Sequence, residues 1–351
     1  MSLELTGDLV TLFQQVVDVE SVSGNERALA DLVEAALRRL PHLAVVRTGD
    51  TIVARTNLGR SERVVVAGHL DTVPVAGNLP SRLEGDLVFG RGTADMKGGV
   101  AVALACAAAL DAPNRDITWI FYDHEEVAAE DNSLTRVARE HPEWLAGDFA
   151  VLMEPTSAQV EGGCQGTLRF TLSTRGTAAH SARAWLGHNA IHDVAEPLAR
   201  LAAYQPRQVD VDGLVYREGL NAVAIAGGIA GNVIPDACML TVNFRFAPDR
   251  DEADAQRHCR EVFAGHELDF IDVAPGARPG LDRPIAQEFL AAVGGEARPK
   301  YGWTDVARFS ALGVPAVNFG PADPGKAHAD DEYCPVADLY ACRDALLRWL
   351  S

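Results

Sequence analysis

The amino-acid sequence predicts an α/β protein with a mostly parallel central sheet covered by helices, and a small α+β domain inserted into it. Three observations point there. Short apolar runs that read as buried strands alternate with helical stretches on both flanks of the chain. The middle of the chain changes to a β-α-β-β-α-β order. The chain has 351 residues, 48% hydrophobic and only 7% aromatic. That is too long for one small core and suits about two domains built on aliphatic strands.

In chain order, helices are expected at 8–17 and 25–40, the second opened by a capping box in Ser23-Gly24-Asn25-Glu26. The runs 64–66, 117–122, 150–153 and 315–319 read as buried strands, and 99–110 reads as a helix between two of them. The middle begins with a strand at 167–174 and a helix at 189–204, bent or interrupted at Pro197. Strands at 222–227 and 238–246 follow, around a turn at 232–236, then a helix at 251–263 and a strand at 267–273. This is the order of a ferredoxin-like unit. It predicts an inserted domain over 166–280 and a main domain built from 1–165 and 281–351.

The formal charge of −18 disfavours nucleic acid and anionic membrane as partners. Cys106, Cys164, Cys238, Cys259, Cys334 and Cys342 form no CxxC pair, as expected of reduced thiols in a cytoplasmic protein. The opening MSLELTGDLV lacks a basic region followed by an apolar core, so no signal peptide is expected. No apolar run has the length of a membrane span.

The chemistry is legible from position. His69 follows the 64–66 strand, Glu125 and Glu126 follow 117–122, Glu154 follows 150–153, and His328 lies in the loop after 315–319. Open α/β sheets bind ligands beyond the carboxyl ends of their strands, so these residues are delivered to one edge. Asp95 joins them from the glycine-rich segment Gly90-Arg91-Gly92-Thr93-Ala94-Asp95-Met96-Lys97-Gly98-Gly99, which lacks the spacing of a phosphate-binding loop. Two imidazoles and three carboxylates need cations to share a dry pocket, and this donor mixture suits zinc-like metals rather than calcium. Five ligands exceed one tetrahedral zinc and suffice for two metals if a carboxylate bridges, for which Asp95 is the natural candidate. Any one of these residues alone reads as an ordinary loop histidine or a surface acid; the combination makes the case. Asp71, two residues past His69 in extended chain, faces the same way and is expected to orient its imidazole.

His69-Leu70-Asp71-Thr72-Val73-Pro74, Gly90-Arg91-Gly92 with Asp95-Met96-Lys97-Gly98-Gly99, Glu125-Glu126, Glu154-Pro155-Thr156 and the late His328 resemble the M20 metallopeptidase family, with its zinc-peptidase-like catalytic domain and inserted dimerisation or lid domain. Within it, Cys164-Gln165-Gly166-Thr167, the 179–187 segment, 231–236, 301–305 and 318–321 are similar to the actinobacterial succinyl-diaminopimelate desuccinylase branch. Acetylornithine deacetylases and glutamate carboxypeptidases are the nearest other branches. The resemblance implies hydrolysis of a small N-acyl amino acid by two Zn2+ per chain, with Co2+ as a substitute. His69 and Glu154 would hold one ion, Glu126 and His328 the other, and Asp95 would bridge. Glu125 would be the general base acting on a water activated between the metals. It also implies a cis peptide after Asp95 and a homodimer formed through the inserted domain. His180 would reach across that dimer to stabilise the oxyanion, and Asn232 and Arg245 would contact substrate. Better-known desuccinylases carry Arg-Arg-Gly where this chain has Cys164-Gln165-Gly166, so an arginine is missing at Gln165. Arg183 and Arg308 are candidates to replace it, and Thr304 lies in a matching substrate-side segment.

Overall fold

The structure, a computed structural model, describes residues 2–128 and 130–351. The chain divides into two compact units: Met1–Gly162 with Pro279–Arg298 and Arg308–Ser351, and Gly163–Arg278 with Pro299–Ala307.

The first unit opens with α1 (Leu9–Val17), started by Asp8, whose carboxylate accepts the Thr11 N–H. α2 (Arg27–Leu37) buries Leu29, Ala30, Val33 and Leu37, the stripe of an amphipathic helix. The capping box expected before it does not form. Ser23 Oγ instead donates to Asp71 Oδ2 at 2.7 Å, and Glu26 Oε1 accepts the N–H groups of Gly24 at 2.9 Å and His124 at 3.3 Å. An ionised acceptor such as Asp71 makes the stronger, charge-assisted bond and draws the hydroxyl away from the helix end.

Next come β1 (Ala44–Thr48), β2 (Thr51–Arg55), β3 (Arg63–His69), β4 (Arg82–Glu84), β5 (Leu87–Phe89), α3 (Lys97–Ala109), β6 (Asp116–Tyr122), α4 (Ser133–Glu140), α5 (Pro142–Leu145), β7 (Phe149–Leu152) and β8 (Glu161–Gly162). β3, β6 and β7 are almost wholly buried, as their unbroken apolar runs require. A Cβ on Gly99 would lie 2.1 Å from the Met153 carbonyl oxygen, so only glycine lets α3 press against the end of β7.

The second unit contains β9 (Gly166–Arg175), β10 (Ala179–His180), α6 (Ala190–Asp193), α7 (Ala195–Ala203), β11 (Gln208–Val211), β12 (Leu214–Arg217), β13 (Gly219–Gly227), β14 (Val233–Ile234), β15 (Ala237–Phe246), α8 (Glu252–Val262) and β16 (Leu268–Ala274). Its four-stranded sheet is antiparallel in the order β13-β15-β9-β16, the ferredoxin-like arrangement. Leu168, Phe170 and Leu172 alternate inward on β9 and join Leu240, Val242 and Phe244 of β15 in its core.

Three local readings change. The 189–204 helix breaks at Val194, not at Pro197, which sits in the first turn of α7 where its missing N–H is harmless. The 232–236 segment is not a simple turn, because β14 pairs with β10. Residues 299–307 belong to the second unit rather than the main domain. The Gln165 N–H donates to the Lys300 carbonyl at 3.2 Å, and Cys164 Sγ lies 3.7 Å from that of Thr304.

The chain returns through α9 (Pro284–Val293), β17 (Arg298–Pro299), α10 (Val306–Ala311), β18 (Ala316–Asn318), β19 (Tyr333–Pro335) and α11 (Val336–Leu350). The large sheet has eight strands in the order β1-β2-β6-β3-β7-β18-β8-β17. Its centre, β6-β3-β7-β18, is parallel, and β2 and β8 add antiparallel flanks. Among the described residues, no helix is long and apolar enough to cross a membrane.

Candidate metal centre

The four central strands run the same way, so their carboxyl ends share one edge. His69 ends β3. Glu154 lies two residues past Leu152 on β7, as His69 lies two past Ala67, and Ala67 and Leu152 are register partners. Glu125 and Glu126 follow β6 in a bend rather than starting a helix, and His328 sits between β18 and β19 with a φ of 65°. Asp95 precedes α3, and the Asp95–Met96 peptide is cis.

Asp95 stands at the centre. Its Oδ1 is 3.1 Å from His69 Nε2, and its Oδ2 is 3.3 Å from His328 Nε2. The same His328 nitrogen is 2.9 Å from Glu126 Oε1. His69, Asp95 and Glu126 each offer a ligand atom, all within 4.8 Å of one another. Glu154 is 5% exposed beside them on the neighbouring strand end.

The electrostatics show what this cluster wants. Burial would raise the Asp95 pKa, but hydrogen bonds from His328 and His69 hold it well below the carboxylate range. Burial opposes charge on His69, yet Asp71 and Asp95 lift its pKa well above the imidazole value. Hydrogen bonds to Asp95 and Glu126 lift His328 to about 10. His69 Nδ1 lies 3.0 Å from the Asp71 main-chain oxygen and donates to it, so a neutral ring would turn a lone pair on Nε2 toward a carboxylate. Two electron-pair donors face each other stably only with a proton or cation between them. The protons held by both histidines therefore stand in for positive charge, and this imidazole and carboxylate set fits a divalent transition metal.

Asp71 differs from expectation. The primary acceptor for His69 is its main-chain oxygen, and its carboxylate Oδ1 is farther away at 3.5 Å. The carboxylate instead accepts the N–H groups of Glu125 and Glu126, both at 3.0 Å. It thus fixes the loop that carries both glutamates. Burial would raise its pKa, but His69, the Glu126 amide and Ser23 bring it to about 2.

The other site residues fall in two places. His180, Asn232, Arg245, Arg183 and Thr304 belong to the second unit, and Arg308 to the first. Pairing of β10 with β14 brings His180 beside Val233, and the Ser181 N–H donates to the Asn232 carbonyl at 2.9 Å. The Ala182 N–H donates to His180 Nδ1 at 3.0 Å, so a neutral ring carries its hydrogen on Nε2. Arg245 is half-buried on β15, where its backbone pairs within the sheet, and its guanidinium makes no hydrogen bond or ion pair with any described residue. Burial and the charge of Arg169 push its pKa down. Arg183 is exposed, Thr304 is buried, and Arg308 donates to Thr135 Oγ1. Gln165 is buried and its amide donates to the Arg217 carbonyl. Sequence reasoning missed Glu332, which holds the Asp95 backbone, and read Glu26, which holds that of His124, only as part of a capping box. Glu332 carried no signal beyond its place at the end of the acidic run Asp330-Asp331-Glu332.

The profile described as peptidase family M20/M25/M40 matches residues 65–351. The chain belongs to this family. Membership makes it a metal-dependent amidohydrolase using divalent metal. A Corynebacterium glutamicum family member, a succinyl-diaminopimelate desuccinylase, is 48% identical over 99% of this chain and 98% of its own length. A Mycobacterium tuberculosis protein, given as a candidate succinyl-diaminopimelate desuccinylase, is 54% identical over 99% of both chains. The crystal structure of the aminopeptidase PepT from Bacillus cereus matches with a TM-score of 0.78 at 17% identity, over 99% of both chains, and speaks for the fold.

Proposed function

We propose that this M20 enzyme hydrolyses N-succinyl-LL-2,6-diaminoheptanedioate to succinate and LL-2,6-diaminoheptanedioate in the cytoplasm, as a step toward diaminopimelate and lysine. The Asp95 carboxylate, one oxygen turned to each of two histidines, carries the metal chemistry. The 48% identity to the Corynebacterium glutamicum enzyme supports the acyl group. Two zinc ions, replaceable by cobalt, would be held by His69 and Glu154 and by Glu126 and His328, with Asp95 between. Bound there, they would polarise the amide carbonyl and acidify water.

Glu125 is the general base. Its backbone is pinned by Asp71, so its carboxylate is held on the loop next to the ligands. It takes a proton from the attacking water as oxygen bonds to the acyl carbon, and returns one to the nitrogen as the C–N bond breaks. The Nε2–H of His180 donates to the oxyanion. Arg245, whose guanidinium makes no hydrogen bond or ion pair with a described residue, offers a planar fork to a substrate carboxylate, with Arg183, Arg308, Asn232 and Thr304 as further contacts.

The chain acts as a homodimer through its inserted unit. β13 is an edge strand exposing Val223 (57%) and Ile225 (55%), with Ile229 (84%) just beyond it. Such an edge is a template for pairing with a second copy. His180 then serves the partner's site. Gln165, with its amide committed to Arg217, favours one alternative: a related deacylase with a different acyl preference. A panel of N-succinyl, N-acetyl and glutamate-releasing substrates assayed with zinc-loaded protein decides. The succinyl substrate should show the highest kcat/KM. Preference for N-acetylornithine or a glutamate amide would replace the substrate assignment, and no hydrolysis by metal-loaded protein would end the proposal.

A further inference from the structure

The backbone around Asp95 is held by a residue that has no ligand role. Glu332 is 1% exposed. Its Oε1 accepts the N–H groups of Ala94 at 2.8 Å and Asp95 at 3.1 Å. Its Oε2 accepts the Gly92 N–H at 3.0 Å and Arg91 Nη1 at 2.9 Å. Gly92 has a φ of 82°, a left-handed conformation that helps turn these amides toward one anion, and a Cβ there would meet Thr72 at 2.8 Å. Arg91 also donates to the carbonyls of Pro74 and Ala329, both at 3.1 Å. One buried ion pair therefore touches three loops: the one leaving His69, the one carrying Asp95, and the one carrying His328.

We propose that Glu332, clamped by Arg91, is a positioning residue for the metal centre. It sets where the Asp95 carboxylate stands relative to His328, and so sets the affinity of the centre for its cations. This rests on the ligand set proposed above. A buried carboxylate is stable only when paired and hydrogen-bonded, and here all four donors come from the loop that presents Asp95. Loosening that loop by a fraction of an ångström moves the one side chain shared by both histidines.

A purely structural role would look different, and the molecule supplies a comparator. Asp116 is 4% exposed and accepts the N–H groups of Leu58 at 2.8 Å, Gly59 at 3.1 Å and Arg60 at 3.0 Å, with Thr56 Oγ1 at 3.0 Å. It is the same kind of cradle on a loop with no candidate ligand.

The test uses full-length protein stripped of metal, with Glu332→Gln and Asp116→Asn variants. Zinc affinity is read by competition with a chromogenic chelator, alongside the unfolding midpoint of the metal-free chain. Both variants should lose stability. Only Glu332→Gln should also lose zinc affinity, by about 10–100-fold, the usual cost of disturbing a group that orients ligands. If that variant folds poorly, Arg91→Gln/Glu332→Gln removes both buried charges and should show the same affinity loss. Wild-type affinity in a folded Glu332 variant, or an equal loss in Asp116→Asn, overturns the assignment. A wild-type chain that takes up no zinc overturns the ligand set itself and this assignment with it.

Discussion

Asp71→Asn is the substitution whose consequences the structure resolves most finely. Asp71 is fully buried, and its oxygens accept the Glu125 N–H at 3.0 Å, the Glu126 N–H at 3.0 Å and Ser23 Oγ at 2.7 Å. Asparagine keeps the shape but replaces one oxygen with a donor. If the amide oxygen takes the Oδ2 place, where two of these bonds lie, the Glu125 N–H faces another donor and is stranded. A buried hydrogen bond to a charged group is worth about 1.5–3 kcal/mol. At about 1.4 kcal/mol per decade, kcat should fall about 10–100-fold as the Glu125 backbone loses its anchor. His69 should stay in place, because its main acceptor is the Asp71 main-chain oxygen, which the substitution retains. Zinc affinity should therefore fall less than kcat. Asp71 has a folded pKa near 2, below the ordinary value of 3.8. It stabilises the fold above pH about 4, and that contribution disappears as pH falls toward 2. The stability gap between metal-free wild type and variant should narrow over that window. The assays are steady-state kinetics at saturating zinc, chelator competition and urea unfolding. An unchanged kcat, or a zinc affinity that falls further than kcat, would refute the reasoning.

Three further outcomes are expected. Glu125→Gln should retain both metals by elemental analysis and lose about 10²–10⁴-fold in kcat; loss of metal would make Glu125 a ligand. Mixing inactive Glu125→Gln and His180→Ala chains should restore activity once subunits exchange, because one site then has an intact base and an intact partner histidine; no recovery despite proven exchange would put His180 within its own chain. All six cysteines are free and buried, and burial pushes Cys106 up to about 12 and Cys164 to about 11, so a thiol reagent at pH 8 should label none in the native protein and all six in guanidinium.

Much of the centre was legible because strand ends are legible. His69, Glu125, Glu126 and Glu154 each follow an apolar run that can only be a buried strand. Parallel pairing then sends such ends to one edge whatever the details of packing. His328 follows the shorter 316–318 strand by the same rule, across a longer loop. The ferredoxin-like order of the inserted unit was likewise readable from the alternation of its strands and helices.

Other features belong to long-range contacts that no local pattern encodes. Glu332 reads as one more acid in an acidic chain until the fold sets it against amides 237–240 positions away. Ser23 and Glu26 match a capping box, yet Asp71, 48 positions from Ser23, takes the hydroxyl. The 299–307 segment joins the second unit through hydrogen bonds to 164 and 165. The sequence by itself determined which residue types reach the catalytic edge, because the periodicity of strands and helices is a local property of the chain. Which carboxylate stands in the candidate metal centre, which holds a loop and which merely solvates was decided by the tertiary structure, because burial and the arrival of distant N–H donors are what distinguish one acid from another.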